Sequence, residues 1–349
     1  MDGIHQFVPM LHQGDAVGRH ALRLRDLLRA RGIESRIYVE TPDPTTDDET
    51  EHYTAYGERA QPGDVLVYQF ATASGLAPWL AGRTEILVVN YHNVTPPEEY
   101  AAWDNGLARH QLLARQQLAQ LARRSALAVA VSAFNQSELR QAGYAATAVV
   151  PPAAMLGVRE GNHGAPPEMG ARWISVGRLA PNKALQLAVM ALAVTRLHRD
   201  PEATLSVVGR PVVPAYTAAL RAFIDAMGLH DAVTLRGACD DDTLAAAMAD
   251  ADMLVMTSTH EGFGVPVVEA MAQGLPVVAN RAAALPDIVG DGGLLADATD
   301  PYAFAGAVAR ILDDATLRAR ITDAGRAQVA ALDLASAGDR LADLLVGVR

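Results

Sequence analysis

Four charged side chains are spaced so that together they could hold a phosphorylated, hydroxyl-rich ligand: Arg178, Lys183, Glu261 and Glu269. The first two stand in Ile174-Ser175-Val176-Gly177-Arg178-Leu179-Ala180-Pro181-Asn182-Lys183, an apolar run that opens into a loop. Two cations at the carboxyl end of a strand suit a polyanion such as a diphosphate. Taken alone, an ordinary solvated loop with charges flanking a helix that begins at Lys183 explains them better. The two glutamates stand in Thr257-Ser258-Thr259-His260-Glu261-Gly262-Phe263-Gly264-Val265-Pro266-Val267-Val268-Glu269, which continues to Gly274. Gly262 and Gly264 loosen the loop, Pro266 suits the first turn of a helix, and Gly274 suits its end. That helix is apolar almost all round, through Val267, Val268, Met271 and Ala272, so Glu269 is a carboxylate on a buried element and needs partners. Two readings stand level. Glu269 is either a salt-bridging or dipole-favoured charge, or it accepts hydrogen bonds from a ligand diol while Glu261 takes a second set of hydroxyls. In the second reading phosphate sits on the backbone N–H groups around Gly264 and Val265.

The elements that must position these residues alternate along the whole chain. Apolar runs predict strands at Ile4–Val8, Ile33–Val39, Val65–Tyr68, Ile86–Tyr91, Leu127–Ser132 and Ala148–Val150. A second set follows at Trp173–Val176, Thr204–Val208, Val233–Arg236, Met253–Met256, Pro276–Ala279 and Gly293–Leu295. Helix-period stretches lie between them, among them Gly18–Arg31, Gly106–Arg124, Lys183–His198, Tyr216–Met227 and Thr243–Ala249. The alternation predicts an α/β protein with parallel sheets covered on both faces. It divides into two Rossmann-like domains, residues 1–152 and 172–330. Residues 153–171, where Pro, Gly and polar residues cluster, form the linker. Two such domains facing across a cleft would place ligands at the carboxyl ends of their strands.

Composition narrows the function classes. The 349 residues are half hydrophobic and carry a net charge of −11, so no general affinity for nucleic acid is expected. The single cysteine, Cys239, has no internal disulfide partner. The start Met1-Asp2-Gly3-Ile4-His5 lacks the pattern of a signal peptide, and no apolar run reaches the ~18 residues of a membrane span. A cytoplasmic location is expected. The Arg19–Arg31 segment has five arginines against Asp26, a net +4. It reads first as an ordinary amphipathic helix, and second as a weak peripheral contact with the inner face of a membrane. Asp43 to Glu51 reads as a solvated acidic loop. Asp240-Asp241-Asp242 reads as the start of a helix rather than a metal site. Gly14-Asp15-Ala16-Val17-Gly18 lacks the middle glycine of the dinucleotide fingerprint. Neither a metal nor a cofactor is expected.

With Gly177-Arg178-Leu179, Lys183, Glu261-Gly262-Phe263-Gly264 and Glu269 in this order and spacing, the chain resembles family 4 of the retaining glycosyltransferases, of GT-B fold. The resemblance is strongest over residues 171–296. It is looser in the first half, where the Ile4–Pro9 strand, the Gly14 loop, Tyr91-His92-Asn93 and Ser132-Ala133-Phe134-Asn135 resemble a bacterial polysaccharide branch. It implies that Arg178 and Lys183 hold and stabilise the donor diphosphate as it leaves. Glu269 would take the ribose, Glu261 the donor sugar, and the backbone of Phe263, Gly264 and Val265 would lie along sugar and phosphates. Gly14 would admit the diphosphate close to the backbone, Gly177 would line the donor loop, and His92 would touch the sugar near the reacting carbon. The chain has Gln13-Gly14-Asp15 where relatives carry paired glycines. Ala184 follows Lys183 where glycine is common, a change expected to be harmless. The resemblance implies a metal-independent hexosyltransferase using a nucleotide sugar, for example GDP-mannose, and a saccharide or lipid-linked saccharide acceptor. Residues 331–349 would form a helix that crosses back to the first domain. A nucleotide-sugar epimerase of the same fold and a non-catalytic nucleotide-sugar binding protein are the alternatives.

Overall fold

The computed structural model describes residues 2–11, 16–152 and 167–348 and divides the chain into two compact units. Unit 1 comprises Met1–Pro97, Gly106–Met155 and Asp333–Arg349, and unit 2 comprises Glu98–Asn105 and Leu156–Leu332.

Unit 1 is built on β1 (Ile4–Val8), β2 (Ile37–Val39), β3 (Glu51–His52), β4 (Val65–Phe70), β5 (Ile86–Tyr91), β6 (Ser125–Ala130) and β7 (Thr147–Val149). They pair in parallel in the order β3-β2-β1-β4-β5-β6-β7. Side chains alternate across a strand, and both faces are buried, which is why the central strands are mostly apolar. Leu66, Tyr68 and Phe70 of β4 join one core with Leu87, Val89 and Tyr91 of β5. Val65, Val67 and Val88 join the opposite core, which the last helix, Leu334–Gly347, closes with Ala337, Leu341, Ala342 and Leu345.

Unit 2 contains β8 (Arg172–Val176), β9 (Thr204–Val208), β10 (Val233–Gly237), β11 (Met253–Met256), β12 (Val277–Asn280) and β13 (Leu294–Ala296). Their order is β10-β9-β8-β11-β12-β13, all parallel. In both sheets the chain builds outward in one direction, returns to its first strand and then builds the other way. The points of reversal lie between β1 and β4 and between β8 and β11.

Four expectations need correction. The Asp43–Glu51 segment is not merely solvated: it forms a 3₁₀ turn at Asp47–Glu49 and leads into β3. Glu49 pairs with Arg25, and Glu51 with Arg36 and Arg59. The basic helix spans Ala16–Ala30 and offers less free positive charge than its count implies. Arg25 is buried against Asp26 and Glu49, and Arg31 pairs with Asp339 and Asp343 of the last helix. The helix after the Arg178 loop begins at Leu185, because Pro181–Lys183 is a separate 3₁₀ turn and Ala184 breaks away at φ +47°. A division at residue 152 places Glu98–Asn105 with the first half, yet that segment groups with unit 2. There Glu99 accepts a hydrogen bond from Thr259 Oγ1 (2.8 Å), and the Trp103 ring meets Tyr216 edge-on at 5.2 Å. Residues 153–166 of the expected linker lie outside the described residues. No helix among the described residues is long and apolar enough to cross a membrane.

The last helix is thus part of the core of unit 1. Leu341 is 1% exposed, and Leu341→Ala is expected to cost about 2–5 kcal/mol, the range for a buried leucine whose site cannot collapse. Urea unfolding followed by circular dichroism measures it, and a loss below ~1 kcal/mol would show that this helix merely rests on the surface.

Candidate functional site

In an open parallel sheet, ligands are taken at the carboxyl ends of the strands where the strand order reverses. In unit 2 that point is flanked by the loops after β8 and β11, which hold Gly177-Arg178…Lys183 and Ser258…Glu261-Gly262-Phe263-Gly264.

The first loop depends on two glycines. Gly209, after β9, has φ +157°, and a Cβ there would lie 1.9 Å from the Gly177 carbonyl oxygen, so the two backbones approach as only glycine permits. Gly177 has φ +152°, and its missing side chain leaves room for the stem of Lys183, whose Cε lies 3.0 Å from where a Cβ would stand. Lys183 Nζ donates to Glu261 Oε1, which also accepts from Ser258 Oγ at 2.8 Å. The pair is largely shielded, with side chains 14% and 12% exposed. An ammonium has three donors and a carboxylate about four lone-pair sites. Nζ therefore retains protons for another acceptor, and Oε2 of Glu261 can accept from ligand hydroxyls.

The two loops are bound to each other. The backbone N–H of Thr259 donates to the Asn182 carbonyl at 2.9 Å, and Asn182 Nδ2 donates to the His260 carbonyl at 3.1 Å. Thr257 Oγ1 lies 3.1 Å from the carbonyls of both Lys183 and Ala184. Asn280 Nδ2 donates to the Ser258 carbonyl at 3.1 Å. Gly264, at φ +86°, then opens the Val265–Gln273 helix, which Gly274 ends at φ +79°. Phe263 is buried and Val265 half-buried, while Glu269 lies within the helix at 2% exposure. Arg178 is exposed on the first loop, and its guanidinium has no ion-pair partner among the described residues. Asp240 caps the Asp241–Ala249 helix by accepting from the Thr243 N–H at 2.7 Å.

Unit 1 offers a different environment. Gly14 lies outside the described residues. His92 follows β5, its N–H bonded to the Phe70 carbonyl, and its Nε2 lies 2.6 Å from Gln69 Oε1. Gln69 in turn bonds Gln6 and Asn90, and Asn90 bonds His20. Desolvation pushes the His20 pKa down to about 4 and holds His92 well below the usual imidazole range. Both rings are therefore neutral at neutral pH.

Residues 162–328 match the family described as glycosyl transferases group 1. The sequence is 33% identical to D-inositol 3-phosphate glycosyltransferase of Corynebacterium glutamicum (strain R) over 151 residues, 42% of this chain and 36% of that protein. It is 38% identical over 106 residues, 30% of this chain and 27% of the relative, to GDP-mannose:cellobiosyl-diphosphopolyprenol alpha-mannosyltransferase of Xanthomonas oryzae pv. oryzae (strain PXO99A). These matches span about a third of the relatives' own length. The crystal structure of Anabaena HepE in complex with UDP and glucose superposes with a TM-score of 0.78 at 19% identity, covering 99% of this chain and all of that one. The chain has the GT-B glycosyltransferase fold.

Within that GT-B frame, the structure brings Gly177, Lys183 and Glu261 into one cluster and places Arg178 on the same loop. Ser258, Thr257, Asn182 and Gly209, which hold these residues, were not singled out from sequence. The three hydroxyl residues directly after the Met253–Met256 strand, and the glycine closing the neighbouring strand, were the signals available. Ala184 is a correction. It is buried at φ +47°, ψ +43°, a conformation that costs a side-chain-bearing residue about 1–2 kcal/mol, so its place after Lys183 is not free of consequence. Ala184→Gly relieves this strain but adds about 0.5–1 kcal/mol of chain entropy, so stability should be unchanged or raised by no more than about 1.5 kcal/mol. Ala184→Val should destabilise clearly. Thermal unfolding of both variants checks this, and a destabilised glycine variant would refute the strain.

Proposed function

We propose that this chain moves a hexose from a nucleotide diphosphate sugar to a saccharide or lipid-linked saccharide acceptor, with retention at the anomeric carbon and without a divalent metal. The observation that carries the reading is the Lys183–Glu261 cluster at the reversal point of the second sheet, with Arg178 exposed on the same loop. The bond between sugar and diphosphate breaks, the acceptor hydroxyl oxygen bonds to the sugar, and the hydroxyl proton passes to the departing diphosphate oxygen. Negative charge gathers on the leaving diphosphate, and Arg178 and the remaining donors of Lys183 offset it. Enzymes without such cations use a metal ion for this task. Glu261 Oε2 takes sugar hydroxyls, Glu269 takes the ribose, and the backbone of Phe263 to Val265 lies along the phosphates. His92 contacts the sugar near the reacting carbon. The Xanthomonas relative supports GDP-mannose as donor and a diphosphopolyprenol-linked saccharide as acceptor. The UDP complex of the structural neighbour makes UDP-glucose the competing donor to test.

Because charge on the leaving group grows toward the transition state, Arg178→Ala and Lys183→Ala should lower kcat and not only raise KM. The expected loss is about 10²–10³ each, as for other preorganised charged donors. Transfer from GDP-mannose should persist in excess EDTA. Activity abolished by EDTA and restored by Mn²⁺ would overturn the metal-free reading, and near-normal kcat in both variants would remove these cations from the chemical step.

Nucleotide recognition is tested separately. A ligand that binds only the folded state raises its melting temperature. The shift with GDP should therefore exceed that with UDP in the wild-type protein and shrink in Glu269→Gln. An unchanged shift in a folded Glu269→Gln protein would exclude the ribose role.

A further inference from the structure

We infer that Gln69 is a positioning residue: it determines which ring nitrogen of His92 carries the proton and thereby leaves Nδ1 as an acceptor for a sugar hydroxyl. The identity of that hydroxyl rests on the transferase reading; the proton placement does not.

The argument runs from one backbone carbonyl. Ala21 O can only accept, so the Gln6 amide nitrogen, 2.8 Å away, donates to it. This turns Gln6 Oε1 toward Gln69, whose Nε2 donates to it at 2.7 Å. Rotating the Gln69 amide would set oxygen against oxygen at Gln6 and nitrogen against nitrogen at Asn90, so its orientation is fixed. Gln69 Oε1 then faces Asn90 Nδ2 at 2.9 Å and His92 Nε2 at 2.6 Å, and it can only accept from both. The second proton of Asn90 Nδ2 goes to His20 Nε2 at 2.9 Å. His92 must therefore carry its proton on Nε2.

Strand register makes this arrangement stiff. Gln69 and Asn90 are direct partners on β4 and β5, and Gln6 opposes Val67, so Gln6 and Gln69 emerge on the same face. Gln6, Gln69 and Asn90 are each no more than 1% exposed. A neutral imidazole has one N–H, so Nδ1 of His92 keeps its lone pair, and it has no hydrogen-bond partner among the described residues. The ring is half-buried at the carboxyl end of β5, the end at which such sheets take ligands. His20 meets His92 edge-on at 5.2 Å between ring centres, which restrains rotation. So held, His92 accepts a hydrogen bond and does not deliver a proton, and a hydroxyl of the transferred sugar fits the free nitrogen.

The test reads the ring nitrogens directly. Long-range ¹H–¹⁵N correlation spectra of the ¹⁵N-labelled full chain at neutral pH should show His92 protonated on Nε2 alone. A ring protonated on Nδ1, or on both nitrogens, would overturn the inference without any variant. Gln69→Leu should convert His92 to a mixture of tautomers and lower kcat about tenfold or more, as misplacement of a substrate-positioning group does, while donor KM changes little. Gln69→Glu, as a carboxyl whose protonated oxygen donates to Gln6 in place of the amide, preserves the acceptor toward His92, so it should keep the Nε2 proton and recover part of the rate. An unchanged His92 spectrum and kcat in Gln69→Leu would refute the positioning role. Absence of transfer in the wild-type protein with every donor tested would overturn the transferase reading instead, and the spectra would still decide the proton placement.

Discussion

The parallel pairing of β8 with β11 is the contact on which the candidate site depends. Trp173 opposes Met253 and Ile174 opposes Leu254, so two segments about eighty residues apart run side by side. Their carboxyl-terminal loops then have no choice but to meet. Parallel neighbours require long crossovers, and here the intervening chain supplies β9 and β10 on the far side of β8. The loops are joined by bonds between buried polar groups: Thr257 to the carbonyls of Lys183 and Ala184, Thr259 to Asn182, Asn182 to His260. Each such group would cost about 1–3 kcal/mol if left unpaired, so the loops hold one arrangement before any substrate arrives. Electrostatic stabilisation of a transition state requires charged donors that need no rearrangement, and this scaffold provides that condition for Lys183.

The same scaffold explains two features that sequence reasoning reads differently. Ala184 takes a left-handed conformation because its carbonyl must reach Thr257 while its neighbour Lys183 turns back past Gly177. A local helix pattern starting at Lys183 contains no trace of that demand, which comes from β11. Gly177 and Gly209 are legible as glycines after strands, but their mutual approach depends on β8 and β9 being neighbours.

Legibility follows burial. The strands Ile4–Val8, Ile86–Tyr91, Thr204–Val208 and Met253–Met256 have the limits expected from their largely apolar runs, since strands buried on both faces are rich in apolar residues. β3 carries no such signal: it is Glu51 and His52, held at the sheet edge beside Arg36 and Arg59. The grouping of Glu98–Asn105 with unit 2 depends on Glu99 and Trp103 finding Thr259 and Tyr216, contacts more than a hundred residues distant. Amides within apolar strands, Gln6 and Asn90 among them, were a visible anomaly, since a buried polar group requires a partner. Their direction could not be read until register set Gln69 opposite Asn90. The charged residues of the second unit were legible as a set because their motif is contiguous along two loops. What holds them was not, because hydroxyls and carbonyls recur everywhere.

The surroundings of His92 and the loops that carry Arg178 and Lys183 handle polarity in opposite ways. In unit 1 the groups around His92 are neutral amides and imidazoles, and such a network avoids the cost of burying ions. In unit 2 Lys183 and Glu261 form an ion pair on the loops at the carboxyl ends of strands, and Arg178 is exposed beside them. A chain of net charge −11 repels an anionic ligand at long range. At physiological salt, however, interactions between exposed charges fade beyond about 8 Å. On the proposed function, a phosphate within that distance would meet Arg178 and Lys183, with Glu261 beside them. Glu261 offsets part of the Lys183 charge, and on the proposed function this would limit how tightly the loop holds a diphosphate once the sugar has gone. A site that must release its product gains from such a partner, because attraction common to substrate and product deepens binding without speeding the chemical step.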